Sequence, residues 1–263
     1  MDDLEMQKYL FDLQGYLVVE NVLSKDELET LNDLIDQQEL PTPKERSRFG
    51  SAPDGPGFLQ WGKPFCDLLD HPTLMAILQF RLGDCFRLDR IYGINMENGM
   101  KRGRLHADYG TMSRIPPLSV SGEYFHFPQH EITQGFTVVT WCLSDTGPDH
   151  GGFCCIPGSH KSNYRLPKKI HDAPHESTKV VIPHAPAGSL VLFSEALTHG
   201  TAAWTGDHHR RSLLYKYCVS QTAWKADRVA EPTNTELTPR QKILFRSPGE
   251  PYLHFPSLFE ETE

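Results

Sequence analysis

From residue 85 onward the sequence is divided into short apolar or alternating runs, and this spacing constrains the fold more than any other feature. The runs are bounded by Gly, Pro, Asp and Asn, the residues that favour turns. They are CFRLDRIYGINM, GEYFHF, GFTVVTWCLSD, GGFCCIP, KVVIPH, GSLVLFS and RRSLLYKYCVS. This pattern is typical of antiparallel strands in a sandwich or barrel.

Helical patterns lie on either side of this block of strands. Ser24 and Glu27 match a capping box ahead of a 3.6-residue apolar repeat, and Pro72 and Gly83 bracket a second helix. A short final helix is predicted after Thr238. Because the helices precede the strands and do not alternate with them, the sequence favours a mainly β fold with flanking helices over a doubly wound α/β fold.

The chain of 263 residues contains no Ser/Gly linker and no internal repeat, so we predict a single domain over residues 1–263. In this prediction N-terminal helices within 1–83 pack on a β core over 85–222, and a C-terminal helix spans 238–246. Residues 41–58 are rich in Pro, Gly, Ser and charge, and are predicted to form a surface loop.

The composition excludes several classes of protein. A formal net charge of −8 argues against a general nucleic-acid binder, because phosphate binding requires a cationic surface. No run approaches the roughly 20 apolar residues that cross a bilayer. The N-terminus is acidic where a secretory signal is basic, and the six cysteines form no CxxC pair. We therefore expect a cytoplasmic protein with no nucleic-acid partner and no membrane span.

The stretch RGRLHADYGT contains a candidate metal site. In a strand His106 and Asp108 point to the same face. Such pairs arise by chance among 13 histidines and 34 acidic residues, so a third ligand is needed. His199 follows an apolar strand in AGSLVLFSEALTHGT. Two histidines and one carboxylate on one face of an octahedral ion leave three positions open, as in non-haem Fe(II) oxygenases.

The same three ligands suit other functions. Zinc or manganese could serve a hydrolase or isomerase, and a cupin-like binding protein could hold a purely structural metal without oxygenase activity. Arg210 bears on this choice, because iron oxygenases of this type recruit 2-oxoglutarate and a guanidinium suits its distal carboxylate. In HHRRSLLYKYCVS a strand would place Arg210 and Ser212 on one face and Arg211 on the other.

Five blocks of the sequence, in this order, resemble the phytanoyl-CoA dioxygenase family of Fe(II)/2-oxoglutarate-dependent oxygenases. The blocks are FDLQGYLVVENVLSKDELETL, LHAD, TVVTWCLSDTGPDHGGFCCIPGSHKSN, AGSLVLFSEALTHGT and RRSLLYKY. The closing LTPRQKILF is similar to the terminal helix of the family, so the resemblance covers most of the chain. It implies a double-stranded β-helix core, which is a jelly-roll or cupin-like fold. It also implies an enzyme that uses iron(II), 2-oxoglutarate and O2, with hydroxylation as its simplest outcome.

The resemblance also implies roles for individual residues. The iron ligands are His106, Asp108 and His199. Arg210 binds the distal carboxylate of 2-oxoglutarate, helped by Thr201, while Trp141 lines the cosubstrate pocket. Apart from the resemblance, the strand spacing predicts that Ser212 offers its hydroxyl to the same carboxylate as Arg210.

The chain departs from the family pattern at Leu105, where an aromatic residue often precedes the first histidine. Residues 109–134 are predicted to supply a lid and substrate contacts, because functional sites favour variable loops on a rigid scaffold. His160, His208 and His209 are predicted to lie outside the iron ligand set. The resemblance specifies neither the substrate nor the oligomeric state.

Overall fold

A computed structural model describes residues 4–108, 136–162 and 164–260. In this part of the chain the α-helices are α1 Leu4–Gln14, α2 Lys25–Asp36, α3 Lys63–Asp67, α4 Pro72–Leu82, α5 Lys168–Asp172 and α6 Pro239–Leu244. The strands are β1 Tyr16–Val19, β2 Arg48–Ala52, β3 Phe86–Met96, β4 Phe136–Cys142, β5 Gly152–Cys155, β6 Leu190–Ser194, β7 His199–Ala202 and β8 Arg210–Val219.

The described strands form two antiparallel sheets that pack face to face. The large sheet has the order β1-β6-β4-β8-β3-β2, and the small sheet pairs β5 with β7. A buried cluster joins their inner faces, with Tyr92, Val138, Phe193 and Leu214 from the large sheet and Cys155 from the small one. This arrangement confirms the predicted jelly roll.

The outer face of the large sheet packs against the N-terminal helices. Trp141 and Tyr215 on this face share one buried core with Leu31 of α2 and Leu78 of α4. The Tyr215 hydroxyl donates a hydrogen bond to the Phe65 carbonyl at 2.7 Å. The alternating residues of β8 therefore divide between a helix-facing side and a side that faces the barrel interior.

The predicted helix ends are confirmed. The Ser24 side chain accepts from the Glu27 amide while Glu27 accepts from the Ser24 amide, which completes the capping box of α2. Helix α4 begins at Pro72 and stops at Gly83, whose φ of 74° favours glycine. The last helix has a second capping box at Thr238.

One prediction about the first 83 residues was incomplete. The predicted loop 41–58 contains β2, an edge strand whose Phe49 is buried and stacks on Trp61 with ring centroids 5.8 Å apart. Strand β1 occupies the opposite edge of the same sheet. The region 1–83 therefore contributes two strands as well as helices. Strand β2 was not predicted because its sequence is polar and contains glycine.

The remaining predicted strands differ in outcome. KVVIPH forms an isolated bridge, between Val181 and Cys155, instead of a full strand. GEYFHF lies outside the described residues, as does the proposed lid at 109–134. No helix in the described ranges is long and apolar enough to cross a membrane.

Candidate active site

His106, Asp108 and His199 lie together at one end of the jelly roll. One ligand atom from each lies within 4.8 Å of the other two. His106 Nε2 is 3.9 Å from Asp108 Oδ1, and the two imidazole centroids are 4.5 Å apart. No other set of three His, Cys, Asp or Glu side chains in the described ranges is grouped in this way. The arrangement provides two nitrogens and one carboxylate for a single cation.

Backbone pairing brings the three side chains together. His199 begins β7, and its backbone exchanges two hydrogen bonds of 2.8 Å with His106. The Asp108 amide donates to the Glu195 carbonyl at 2.8 Å. An isolated bridge between His106 and His199 therefore holds the segment that carries His106 and Asp108 beside the start of β7.

Gly200 permits the close approach of this segment. A Cβ at Gly200 would lie 2.9 Å from the Arg104 carbonyl oxygen, whereas a Cβ at Gly103 would meet its nearest atoms, in Thr201, at an ordinary 3.7 Å. Backbone is less able than a flexible side chain to move away. The absence of a side chain at Gly200 thus allows His106 to reach His199.

We expect Gly200→Ala to weaken metal binding by about tenfold, or ~1.4 kcal/mol, because it displaces His106. Calorimetric titration with Mn(II) measures this change. The control is Gly103→Ala, which lies in the same segment and should leave the affinity unchanged. Equal affinities for both variants would show that the segment tolerates the displacement.

Hydrogen bonds orient both imidazoles. The Nδ1 atom of His106 is 3.0 Å from the Arg104 carbonyl, and that of His199 is 2.8 Å from the Leu197 carbonyl. A carbonyl can only accept, so each Nδ1 is assigned a proton, and Nε2 is the ring atom of each histidine that would bind a metal. Burial, and next the neighbouring His106, lower the pKa of His199 to about 3. His199 is therefore neutral at physiological pH, as a metal ligand must be.

Asp108 has a partner that the sequence analysis missed. Burial alone would raise the pKa of its carboxyl, but Lys216 above all lowers it to about 2. The Lys216 ammonium is 2.5 Å from Asp108 Oδ2. The alternation of β8 was the available signal, because it places Lys216 on the face of Arg210 and Ser212.

Arg210 and Ser212 lie on the inner face of β8 and are 3% and 0% exposed. Neither the Nε of Arg210 nor the Oγ of Ser212 has a hydrogen-bond partner among the residues that the structure describes. Arg210 Nη1 lies 3.4 Å from the Met96 sulfur, a weak acceptor, and no carboxylate in the described ranges pairs with this guanidinium. A buried charge left in this way is costly unless an anion binds it.

Arg211 points away from this pocket, as the strand spacing predicted. Its Nη2 is 2.5 Å from Asp36 and its Nη1 is 3.2 Å from Asn32, both on α2. The two adjacent arginines thus occupy opposite faces of the sheet.

Thr201 and Trp141, the two further residues predicted to contact 2-oxoglutarate, lie in different surroundings. Thr201 is half-buried and lies two residues after His199 on β7, opposite Phe153 of β5, so the two β7 side chains share a face. Trp141 instead pairs with Leu213 on the helix-facing side of the sheet, and its ring centroid is 5.4 Å from that of His71. The prediction that Trp141 lines the cosubstrate pocket is wrong, because β4 turns the next residue, Cys142, towards Ser212.

The other singled-out histidines have separate partners. His160 Nε2 is 3.0 Å from the Asp12 carbonyl, and burial lowers the pKa of its ring to about 4. His208 Nε2 is 3.1 Å from the Asp145 carbonyl. His209 Nδ1 is 3.2 Å from the Asn95 side-chain oxygen. None of the three belongs to the His/Asp/His group.

Fold and site together define the class of this protein. A jelly roll that gathers two histidines and one carboxylate, with a buried arginine that has no carboxylate partner among the described residues, has the form of a 2-His-1-carboxylate iron oxygenase. The model of the phytanoyl-CoA dioxygenase family matches residues 11–212, which is most of the chain. The protein belongs to this family and is an Fe(II)/2-oxoglutarate-dependent oxygenase, so iron(II), 2-oxoglutarate and O2 are its cofactor and cosubstrates.

Solved structures support the fold. HygX from Streptomyces hygroscopicus, with nickel, 2-oxoglutarate and hygromycin B bound, is 22% identical with a TM-score of 0.68, covering 84% of this chain and 89% of HygX. Its iron-bound form gives 21% identity and a TM-score of 0.66 over the same shares of the two chains, 84% and 89%. EctD from S. alaskensis with bound Fe is 18% identical with a TM-score of 0.60, and the match covers 89% of this chain and 86% of EctD. No curated protein matches the sequence significantly.

Proposed function

We propose that the protein hydroxylates a small organic substrate and couples this reaction to the oxidative decarboxylation of 2-oxoglutarate to succinate. The observation that carries the proposal is the buried guanidinium of Arg210, which has no anionic partner among the described residues. It lies on the same face of β8 as Lys216, which contacts Asp108. One strand thus presents an anion site and reaches the candidate metal ligands.

The vacant hydrogen-bonding capacity fits a dicarboxylate. Arg210 and Ser212 offer unpaired donors for the distal carboxylate of 2-oxoglutarate, and Thr201 would add a hydroxyl from the small sheet. Gly152 has a φ of 106°, and a Cβ there would lie 3.2 Å from Arg210 Nε. The absence of a side chain at Gly152 leaves the guanidinium free to orient.

In this proposal His106, Asp108 and His199 hold the iron. The bound iron and 2-oxoglutarate supply the oxidising power from O2, and the protein positions the substrate C–H bond. The neutral His199 and the ionised Asp108 are ready to bind a divalent cation without losing a proton. The presence of Asp108 favours hydroxylation over halogenation, because halogenating relatives lack this carboxylate and bind halide in its place.

Arg210 also separates this proposal from the alternatives. Neither a structural metal nor a zinc- or manganese-dependent hydrolase requires a buried cation to receive the far end of a keto-diacid. The pocket is therefore better explained by a cosubstrate than by a metal alone.

Anaerobic addition of Fe(II) and 2-oxoglutarate tests the cosubstrate assignment. We expect a weak visible charge-transfer band when the keto-acid chelates the iron, with no band when succinate replaces 2-oxoglutarate. A succinate-release screen over acyl-CoAs, amino acids and secondary metabolites then identifies the substrate class. Intact protein that binds Fe(II) but gives no band would refute the proposal.

A further inference from the structure

Lys216 is a buried lysine inside the jelly roll. Its side chain is 7% exposed, and that of Asp108 is 20% exposed. The Nζ–Oδ2 distance of 2.5 Å makes this a charge-assisted hydrogen bond. Because a buried ammonium is costly without a partner, the contact fixes both groups.

The two oxygens of Asp108 have different surroundings. Oδ1 faces the imidazole of His106, with 3.9 Å to Nε2. Oδ2 is occupied by the Lys216 ammonium. The carboxylate therefore has His106 nearest to one oxygen and the Lys216 ammonium bonded to the other.

Lys216 lies on β8, a central strand of the large sheet. Its cross-strand neighbours are Val138 on β4 and Arg90 on β3, and its ammonium lies 6.0 Å from the Tyr92 ring centroid. Asp108 is the carboxylate that pairs with it among the described residues. A side chain that begins in a paired central strand has little freedom to release Asp108.

We propose that Lys216 is a positioning residue that restricts Asp108 to coordination through a single oxygen. This inference rests on the proposed function. In an octahedral iron centre, two histidines and one carboxylate oxygen would occupy three of six positions, and a chelating 2-oxoglutarate would occupy two more. One position would then remain for O2. If both Asp108 oxygens bound the metal, no position would remain once 2-oxoglutarate was present.

The test compares Lys216→Met, which keeps an unbranched side chain one atom shorter and removes the charge, with Lys216→Arg, which keeps a cationic donor. Each Fe(II)-loaded protein receives 2-oxoglutarate without O2 and is titrated with nitric oxide, a probe of the open position. Electron paramagnetic resonance measures the nitrosyl signal. The visible band, recorded first, reports iron and 2-oxoglutarate binding separately.

We expect Lys216→Met to keep the visible band and to bind nitric oxide at least about tenfold more weakly than the wild type, a difference of ~1.4 kcal/mol. Lys216→Arg should restore most of this affinity. The control Lys161→Met removes the ion pair with Asp12, which has a length of 2.6 Å and lies outside the His/Asp/His group, and should behave as the wild type. Wild-type nitric oxide affinity in Lys216→Met, or the loss of its iron, would overturn the proposal.

A crystal structure of the wild-type protein with Mn(II) and 2-oxoglutarate provides a second measurement. Its outcome does not depend on whether any variant folds. One Asp108 oxygen on the metal, with Lys216 on the other, supports the proposal. Two oxygens on the metal would overturn it. If the wild type binds Fe(II) but gives no visible band, the proposed function fails instead, which separates the two conclusions.

Discussion

Asp108→Ala is expected to lower Fe(II) affinity by more than about a hundredfold and to abolish succinate formation. Partners that only orient metal ligands contribute about 10- to 100-fold to affinity, and a direct ligand should exceed that. The substitution removes the one anionic ligand. It also removes the carboxylate that lies 2.5 Å from the buried Lys216 ammonium, so this positive charge would face the cation without compensation. Titration with Fe(II) under anaerobic conditions measures the affinity, and the visible band measures the 2-oxoglutarate complex.

The control for this prediction is Asp12→Ala. Asp12 also forms a short ion pair with a lysine, Lys161, but it lies on α1 and its side chain is 50% exposed. Exposed ion pairs contribute about 0–1 kcal/mol, so this variant should retain iron binding and turnover. Wild-type iron affinity in Asp108→Ala would remove Asp108 from the ligand set and leave two histidines, too few for the proposed centre.

The strand periodicity explains which parts of the site could be predicted from the sequence. Two-residue spacing places His106 on the same face as Asp108, and the structure groups these two side chains. The same spacing places Arg210 with Ser212 and turns Arg211 to the opposite face, as the structure also has them. The meeting of His106 and His199 depends on the pairing of a segment with β7 across some ninety residues. No local pattern contains that pairing, so only the family resemblance indicated it.

The errors have physical causes as well. Trp141 and Cys142 are adjacent, so a displacement of one residue exchanges the helix-facing side of β4 for the pocket. Lys216 sits within an apolar strand, where a lysine is expected at the surface and is buried only when paired. The alternation of β8 indicates which face Lys216 lies on, but its partner Asp108 is more than a hundred residues earlier, and no local pattern indicates the contact itself.

Arg210→Ala is expected to weaken 2-oxoglutarate binding by about 2–5 kcal/mol, or roughly thirtyfold or more, while iron binding is preserved. Truncation removes the buried guanidinium that has no anionic partner within the described ranges, and Ser212 alone cannot neutralise a carboxylate. Arg210→Lys should recover only part of the affinity, because an ammonium lacks the planar fork of donors. Titration of the Fe(II)-loaded protein with 2-oxoglutarate, followed by the visible band, measures these changes.

The neighbouring residue provides a matched control for Arg210. Arg211→Ala removes contacts with Asp36 and Asn32 on the helix-facing side of the sheet, where the Arg211 side chain is 19% exposed. Its cost should appear as a lower melting temperature, corresponding to about 1 kcal/mol or less, with no change in 2-oxoglutarate affinity. Equal losses of affinity in both variants would mean that the cosubstrate pocket does not lie on the inner face of β8. The dicarboxylate would then have to bind elsewhere, and the unpaired guanidinium would lose its explanation.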